Sequence, residues 1–264
     1  MQPINEALDL MRVDLTRRRR GEQPSSQRQT MPIVVDASFC ARCQNRGYLR
    51  VNVPFGHPQF GKPVACECTK ARKREAHRRS LWEQSRIDQQ IAFQEDAFTT
   101  FQFRLPGVLK AYKAAVEFAD TPRGWLVLQG PHGCGKTHLA VAIAKQCLDN
   151  GAAVLFANVP DLLRSLKATL SPEAEERYDD EFNKMCEAEV LILDDLGVQQ
   201  GTPWVMETLY LLFNHRYIAR LATVVTTNRV DLVGIDPCIR SRLRDHRLVR
   251  TVVMDAQDFR EMEI

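Results

Sequence analysis

Along residues 96–264, short apolar runs alternate with longer amphipathic stretches. WLVLQG (125–130), AAVLFANV (152–159), EVLILDD (189–195), ATVVTTN (222–228) and LVRTVVM (248–254) are short, rich in aliphatic and β-branched residues, and bounded by polar or turn residues, so strands are predicted. Helices are predicted between them. One spans 137–151 with Asn150 and Gly151 as its stop, a second spans 161–170 with Asp161 as N-cap, and a third spans about 203–219. Strands alternating with helices imply an α/β fold, a parallel sheet covered by helices on both faces. The order of the strands is not readable from this pattern.

The front of the chain reads differently. Residues 3–14 place Ile4, Leu8 and Met11 at helical spacing, and RRRRGEQPSSQRQTMP behind them has a linker's composition. Two cysteine pairs lie within 36–68. A helix is predicted over 69–92, opening on TKARKREAHRR with six Lys/Arg and one acid. The expected organisation is an N-terminal helix and basic linker (1–30), a cysteine-bearing module with a basic helix (31–95), and an α/β domain (96–264).

Charge sharpens this division. Residues 1–100 hold 17 Lys/Arg against 11 Asp/Glu, whereas 101–264 hold 19 against 22, so an anionic partner is expected at the front. No apolar run approaches a membrane span, and the first 30 residues have no signal-peptide core but carry Arg17 to Arg20. The expected location is cytoplasmic, with no membrane partner.

The chemistry is concentrated at the ends of the predicted strands. Gly130-Pro131-His132-Gly133-Cys134-Gly135-Lys136-Thr137 fits G-x-x-x-x-G-K-[ST] and lies between a strand and a helix, with His138 next in the helix. Glycines let backbone N–H groups face phosphates, and the helix presents its positive end to the same anion. Lys136 would reach the β- and γ-phosphates and Thr137 would offer its hydroxyl to Mg²⁺. Cys134 stands at a helix N-terminus, where a thiol pKa can fall; a loop role is expected ahead of a redox one. The buried run Val190–Leu193 delivers Asp194, a Mg²⁺ ligand directly or through water, and Asp195, placed to orient or deprotonate the attacking water. Asn228, at the tip of another strand, is a candidate to position that water or simply a strand-end turn residue.

Cys40-x₂-Cys43 and Cys66-x-Cys68, separated by 22 residues, suit a tetrahedral structural Zn²⁺ site in a small ribbon, with His57 in the bridging loop as an alternative ligand. Four thiolates leave no open position for catalysis.

GPHGCGKTHLA, LILDDLG and VVTTN, in this order and spacing, resemble the AAA+ ATPases of the DnaC/DnaI helicase-loader and IstB type, from about Phe98 to the end of the chain. The resemblance implies a P-loop AAA+ sheet, here with the helical lid essentially absent, and an ATP site between subunits that a neighbour's arginine completes. Ile239-Arg240-Ser241-Arg242-Leu243 is similar to the arginine-bearing box, with Arg242 at the finger position and Arg240 and Arg244 beside it. Asp258-Phe259-Arg260 is similar to the segment bearing a second γ-phosphate-sensing arginine, Arg260. Asp195 stands where many AAA+ enzymes have Glu, which implies slow, partner-regulated hydrolysis. Lys167, Thr202 and Trp204 occupy single-stranded DNA contact positions, although Trp204 also suits packing on its own domain. A DnaI-like zinc module implies that the N-terminal region grips a replicative helicase hexamer. The expected function is ATP-dependent helicase loading, with ATP, Mg²⁺ and structural Zn²⁺ as cofactors and self-association through the ATPase interface. The alternatives are an IstB-like transposition helper ATPase acting on duplex DNA, and a non-hydrolysing adaptor.

Overall fold

The computed structural model describes residues 39–87, 95–168, 175–198, 201–229 and 231–259, with no account of the side chains of 175 and 176. The predicted N-terminal helix, its linker and Arg260 lie outside the described residues. The chain divides into two compact units after Cys66.

In the first unit, β1 (Tyr48–Arg50) pairs antiparallel with β2 (Pro63–Ala65), Tyr48 opposite Ala65 and Arg50 opposite Pro63. This hairpin had no signal in the hydrophobic pattern, because its strands are three residues long and mostly exposed.

The second unit runs α1 (Glu67–Ser85), α2 (Leu109–Asp120), β3 (Trp125–Gln129), α3 (Lys136–Asp149), β4 (Val154–Asn158), α4 (Val159–Ala168), α5 (Glu175–Glu187), β5 (Val190–Asp194), α6 (Pro203–Ala219), β6 (Ala222–Thr227), α7 (Pro237–Leu243) and β7 (Val249–Val253). Its five strands are all parallel, in the order β4-β5-β6-β3-β7. Successive residues of a strand face opposite sides. Leu126 and Leu128 of β3 join a core with α2 and α3, while Trp125 and Val127 join another with α4, α5 and α6. The predicted α/β sheet with helices on both faces is therefore the observed one.

Two boundaries differ from the expectations. Helix α1 ends at Ser85 rather than 92, because Arg86 takes a left-handed φ of 64°, a common helix stop. Leu81 of α1 and Ile87 enter the core beside α2 and α3, so this basic helix belongs with the second unit and the division falls after Cys66, not after residue 95. Helix α4 starts at Val159, two residues early. Asp161 is thus inside its first turn, and the cap is Asn158, whose Oδ1 accepts from Asp161 N at 3.4 Å.

Candidate nucleotide site and cysteine cluster

β3 ends at Gln129 and the phosphate-type loop follows at once, emptying into α3 at Lys136. Gly133 and Gly135 adopt φ of 70° and 93°, conformations that side-chain-bearing residues resist. They are also sites of close approach. A Cβ on Gly133 would sit 1.6 Å from Asp258 Oδ1, and one on Gly135 would sit 2.8 Å from a ring carbon of Phe101. Phe259 N donates to Gly133 O (3.1 Å), and Met254 N donates to Gln129 O (2.7 Å). The segment leading to Arg260 is therefore laid against the loop.

Lys136 is buried, and its Nζ donates to Gly130 O (3.0 Å) and Pro131 O (2.6 Å), with Cys134 Sγ 3.8 Å away. Its cation is thus held inside the curl of the loop. Burial raises the Cys134 thiol pKa despite the neighbouring lysine. The lowered pKa that a helix N-terminus can give is therefore not seen at Cys134.

Strand order explains the acidic half of the site. β6 lies between β3 and β5, so Asp194 at the end of β5 must reach past it. Thr226 of β6 bridges the gap: its Oγ1 donates to Asp194 Oδ1 at 2.6 Å. Thr137 Oγ1 donates to the same carboxylate at 3.1 and 3.2 Å. Burial is the main cause that raises the Asp194 pKa to about 6, and the negative charge of Asp195 adds to it, while the two threonine hydroxyls oppose. A buried carboxylate and a hydroxyl beside a phosphate-binding loop form a donor set that suits Mg²⁺, a hard cation bound by one or two carboxylates plus phosphate oxygens.

Asp195 has a left-handed φ of 61°, a strained conformation for a non-glycine residue. Its N–H donates to Thr226 Oγ1 (2.9 Å), and Asn158 Nδ2 approaches its Oδ2 at 3.5 Å. Asn228 joins the loop through its side-chain nitrogen, 2.9 Å from His132 Nε2. Thr137, Asp194 and Asp195 therefore meet at the carboxyl ends of the strands, with Lys136 inside the loop and Asn228 against the loop's His132. Thr226 and Asn158 escaped the sequence reading; their signals were threonine in a doubly buried strand and a polar residue ending β4.

Other candidates fall elsewhere. His138 ties α3 to residues 96–100: Nε2 lies 2.9 Å from Ala97 O and 3.2 Å from Thr100 Oγ1, and Nδ1 lies 3.3 Å from Asp96 Oδ1. Arg242 is half-buried against its own α6, bonded to Asn214 Oδ1 and lying 5.1 and 5.6 Å from the ring centroids of Tyr210 and Tyr217. Arg244 Nη2 donates to Asp231 O at 3.0 Å. Thr202 caps α6 by accepting from Val205 N at 3.3 Å. Trp204 is partly buried against the core beneath that helix, and Lys167 is exposed in the last turn of α4.

The sulfurs of Cys40, Cys43, Cys66 and Cys68 all lie within 4.8 Å of one another. Cys40 and Cys66 are 3.8 Å apart, which matches the edge of a tetrahedron with Zn–S bonds of about 2.3 Å. His57 is outside the cluster, and its Nδ1 accepts from Gln59 N at 3.2 Å. The donor set fits structural Zn²⁺ with cysteines alone.

The family model described as IstB-like ATP binding protein matches residues 65–232. An insertion-sequence ATP-binding protein of Mycobacterium tuberculosis is 28% identical over 79% of this chain and 83% of its own length. The replicative helicase loader DnaI of Bacillus subtilis is 30% identical, over only 42% of this chain and 35% of its own. Among solved structures, the DnaC helicase loader aligns with a TM-score of 0.55 at 22% identity, covering 63% of this chain and all of that one. DnaA bound to AMPPCP and single-stranded DNA aligns at 0.54 and 19%, covering 63% and 52%. At such identities the structural likeness establishes the AAA+ fold alone. The phosphate loop, the acidic strand end that meets it through Thr137 and the match over most of the chain place this protein in the family of IstB-like ATP-binding proteins.

Proposed function

We propose that the chain is an ATP-dependent loader of a replicative DNA helicase, with the helicase contacts in residues 1–95 and the AAA+ domain engaging single-stranded DNA. What supports this reading is the four-cysteine cluster near the start of the described residues, a feature that the sequence resemblance associates with DnaI-type loaders, together with the similarity to a replicative helicase loader.

In this reading the loop N–H groups and Lys136 bind the triphosphate, and Lys136 exchanges its carbonyl partners for phosphate oxygens. Mg²⁺ would be held by Thr137 and Asp194 and would neutralise charge on the transferring phosphoryl group. Asp195 is the group placed to orient or deprotonate water, with Asn158 approaching its carboxylate, while Asn228 sits against His132 of the loop. Arg260 follows the segment fixed to Gly133, and Arg242 is offered to a neighbouring subunit once released from Asn214. Slow hydrolysis gated by partners fits a site whose acid is Asp rather than Glu, and hydrolysis releases the loader.

A second reading, a transposition helper acting on duplex DNA, is favoured by the family model and by the M. tuberculosis insertion-sequence protein, whose alignment is the longer. Strand-displacement assays on single-strand circles coated with single-strand-binding protein separate the two. The loader reading requires that the chain and ATP allow the helicase of its own organism to start unwinding. No stimulation, together with ATP-dependent preference for duplex over single-stranded oligonucleotides, would establish the transposition reading instead.

A further inference from the structure

The hairpin unit carries a surface that the ATPase chemistry does not use. Residues 39–66 contain no Asp or Glu, and their four Lys/Arg (Arg42, Arg46, Arg50 and Lys62) are all exposed. Aromatic rings stand among these cations. Phe55 is 90% exposed, Tyr48 52% and Phe60 50%. Phe55 and Phe60 meet edge to face at 5.4 Å in the connection between β1 and β2, which leaves ring faces open to solvent. Tyr48 and Arg50 are two residues apart on β1 and so share one face of the hairpin.

Exposed aromatics in so small a unit are costly unless something covers them. A solely apolar partner would leave the four cations unpaired, and an acidic protein surface would not need open ring faces. Both requirements are met by a strand of unpaired bases, whose phosphates take the cations and whose bases stack on the rings. Zn²⁺ held by four thiolates would reduce the positive charge of this segment without reversing it.

We propose that the cysteine-held hairpin is a docking surface for single-stranded nucleic acid, with Tyr48, Phe55 and Phe60 as stacking faces and Arg42, Arg46, Arg50 and Lys62 as phosphate contacts. The site is separate from the expected DNA contacts of the AAA+ domain and holds under either reading of the function. Helicase contacts then fall elsewhere within residues 1–95.

The test uses full-length Lys136→Ala protein without nucleotide, so that ATP-driven assembly of the AAA+ domain does not contribute, and a fluorescein-labelled thymidine 20-mer read by anisotropy. Adding Phe55→Ala and Phe60→Ala should weaken binding by at least about tenfold, since stacking of this kind is lost per base. Adding Lys110→Ala and Lys113→Ala, exposed cations of α2 with no assigned DNA role, should change it by less than about twofold. Replacing Arg42 and Arg50 by Gln should reduce the slope of log affinity against log salt by about 1.4, at roughly 0.7 per phosphate contact. Zinc content is measured for each protein, and the substituted residues are exposed, so the module should keep its metal. Unchanged oligonucleotide binding by the Phe55/Phe60 variant, or no binding by its Lys136→Ala parent, would overturn the proposal. Unchanged binding with loss of capture of a purified hexameric helicase would make this face a protein dock instead.

Discussion

Asp194 shows how one residue exchanges stability for chemistry. Its carboxyl is 2% exposed, and its pKa rises from 3.8 to about 6 on folding. A group whose pKa is raised in the folded state makes that state bind its proton more tightly. The associated stability is therefore present below about pH 4 and lost as pH rises through about 6. At neutral pH the cost is on the order of 3 kcal/mol, at roughly 1.4 kcal/mol per tenfold change in proton affinity. Asp194→Asn should accordingly stabilise the nucleotide-free protein by about 1–3 kcal/mol at pH 7.5, because the Thr137 and Thr226 hydroxyls can rotate to accept from the amide. The gain should vanish below about pH 4 in denaturant titrations. The same substitution should abolish Mg²⁺-dependent turnover. A variant less stable than the parent at pH 7.5 would show that the carboxylate holds the strand ends together.

The phosphate loop was legible residue by residue because each of its requirements is local: a left-handed φ, close backbone approach, a lysine and a hydroxyl at fixed spacing. Thr226 and Asn158 were not legible, since their roles depend on which strands become neighbours, and that order is not encoded in periodicity. Asp161 misled for a related reason. It is a good capping residue, but the strand before it ends in Asn158, which takes the cap first.

At the scale of elements, Arg216 was equally invisible. It looks like a surface cation in a helix, yet it is 1% exposed and bridges three elements. Its Nε donates to Thr223 Oγ1, Nη1 to the carbonyls of Met185, Cys186 and Ala188, and Nη2 to Ala222 O. The end of α5 is thus tied to α6 and the start of β6. Arg216→Met would leave several of these acceptors buried without donors, at about 1–3 kcal/mol each. A fall in Tm of at least roughly 6 °C is expected by calorimetry; a fall below 3 °C would mean that water replaces the guanidinium.

The cysteine module makes a separate element-scale prediction. Structural zinc sites in finger peptides bind with about 10–16 kcal/mol, and metal binding and folding are one event there. Zinc-selective chelation with Mg²⁺ kept in excess, or Cys43→Ser, should therefore expose residues 39–66 to protease while the ATPase unit keeps its nucleotide affinity within about twofold. Loss of nucleotide binding on chelation would show that the two units fold as one.

At the scale of the whole molecule, the role proposed for Arg242 makes one chain an incomplete enzyme. Arg242 is bound to its own α6, so acting on a neighbour requires it to leave Asn214 and the two tyrosine rings. Arg242→Ala should reduce turnover by about 10³-fold, in the range of arginine fingers elsewhere. Mixing that variant with Lys136→Ala should restore activity, because intact loops would then face intact arginines. Failure of the mixture, with Arg240→Ala inactive instead, would move the role to Arg240.

In the loader reading, ATP bound at the Lys136 loop controls a contact with a replicative helicase. The most direct test is capture of partners by tagged full-length protein from its native lysate with ATP and Mg²⁺, alongside Lys136→Ala. The loader account predicts recovery of the hexameric helicase by the parent and altered recovery by the variant. Recovery of a transposase without helicase would contradict it and place the protein with the transposition ATPases of its family.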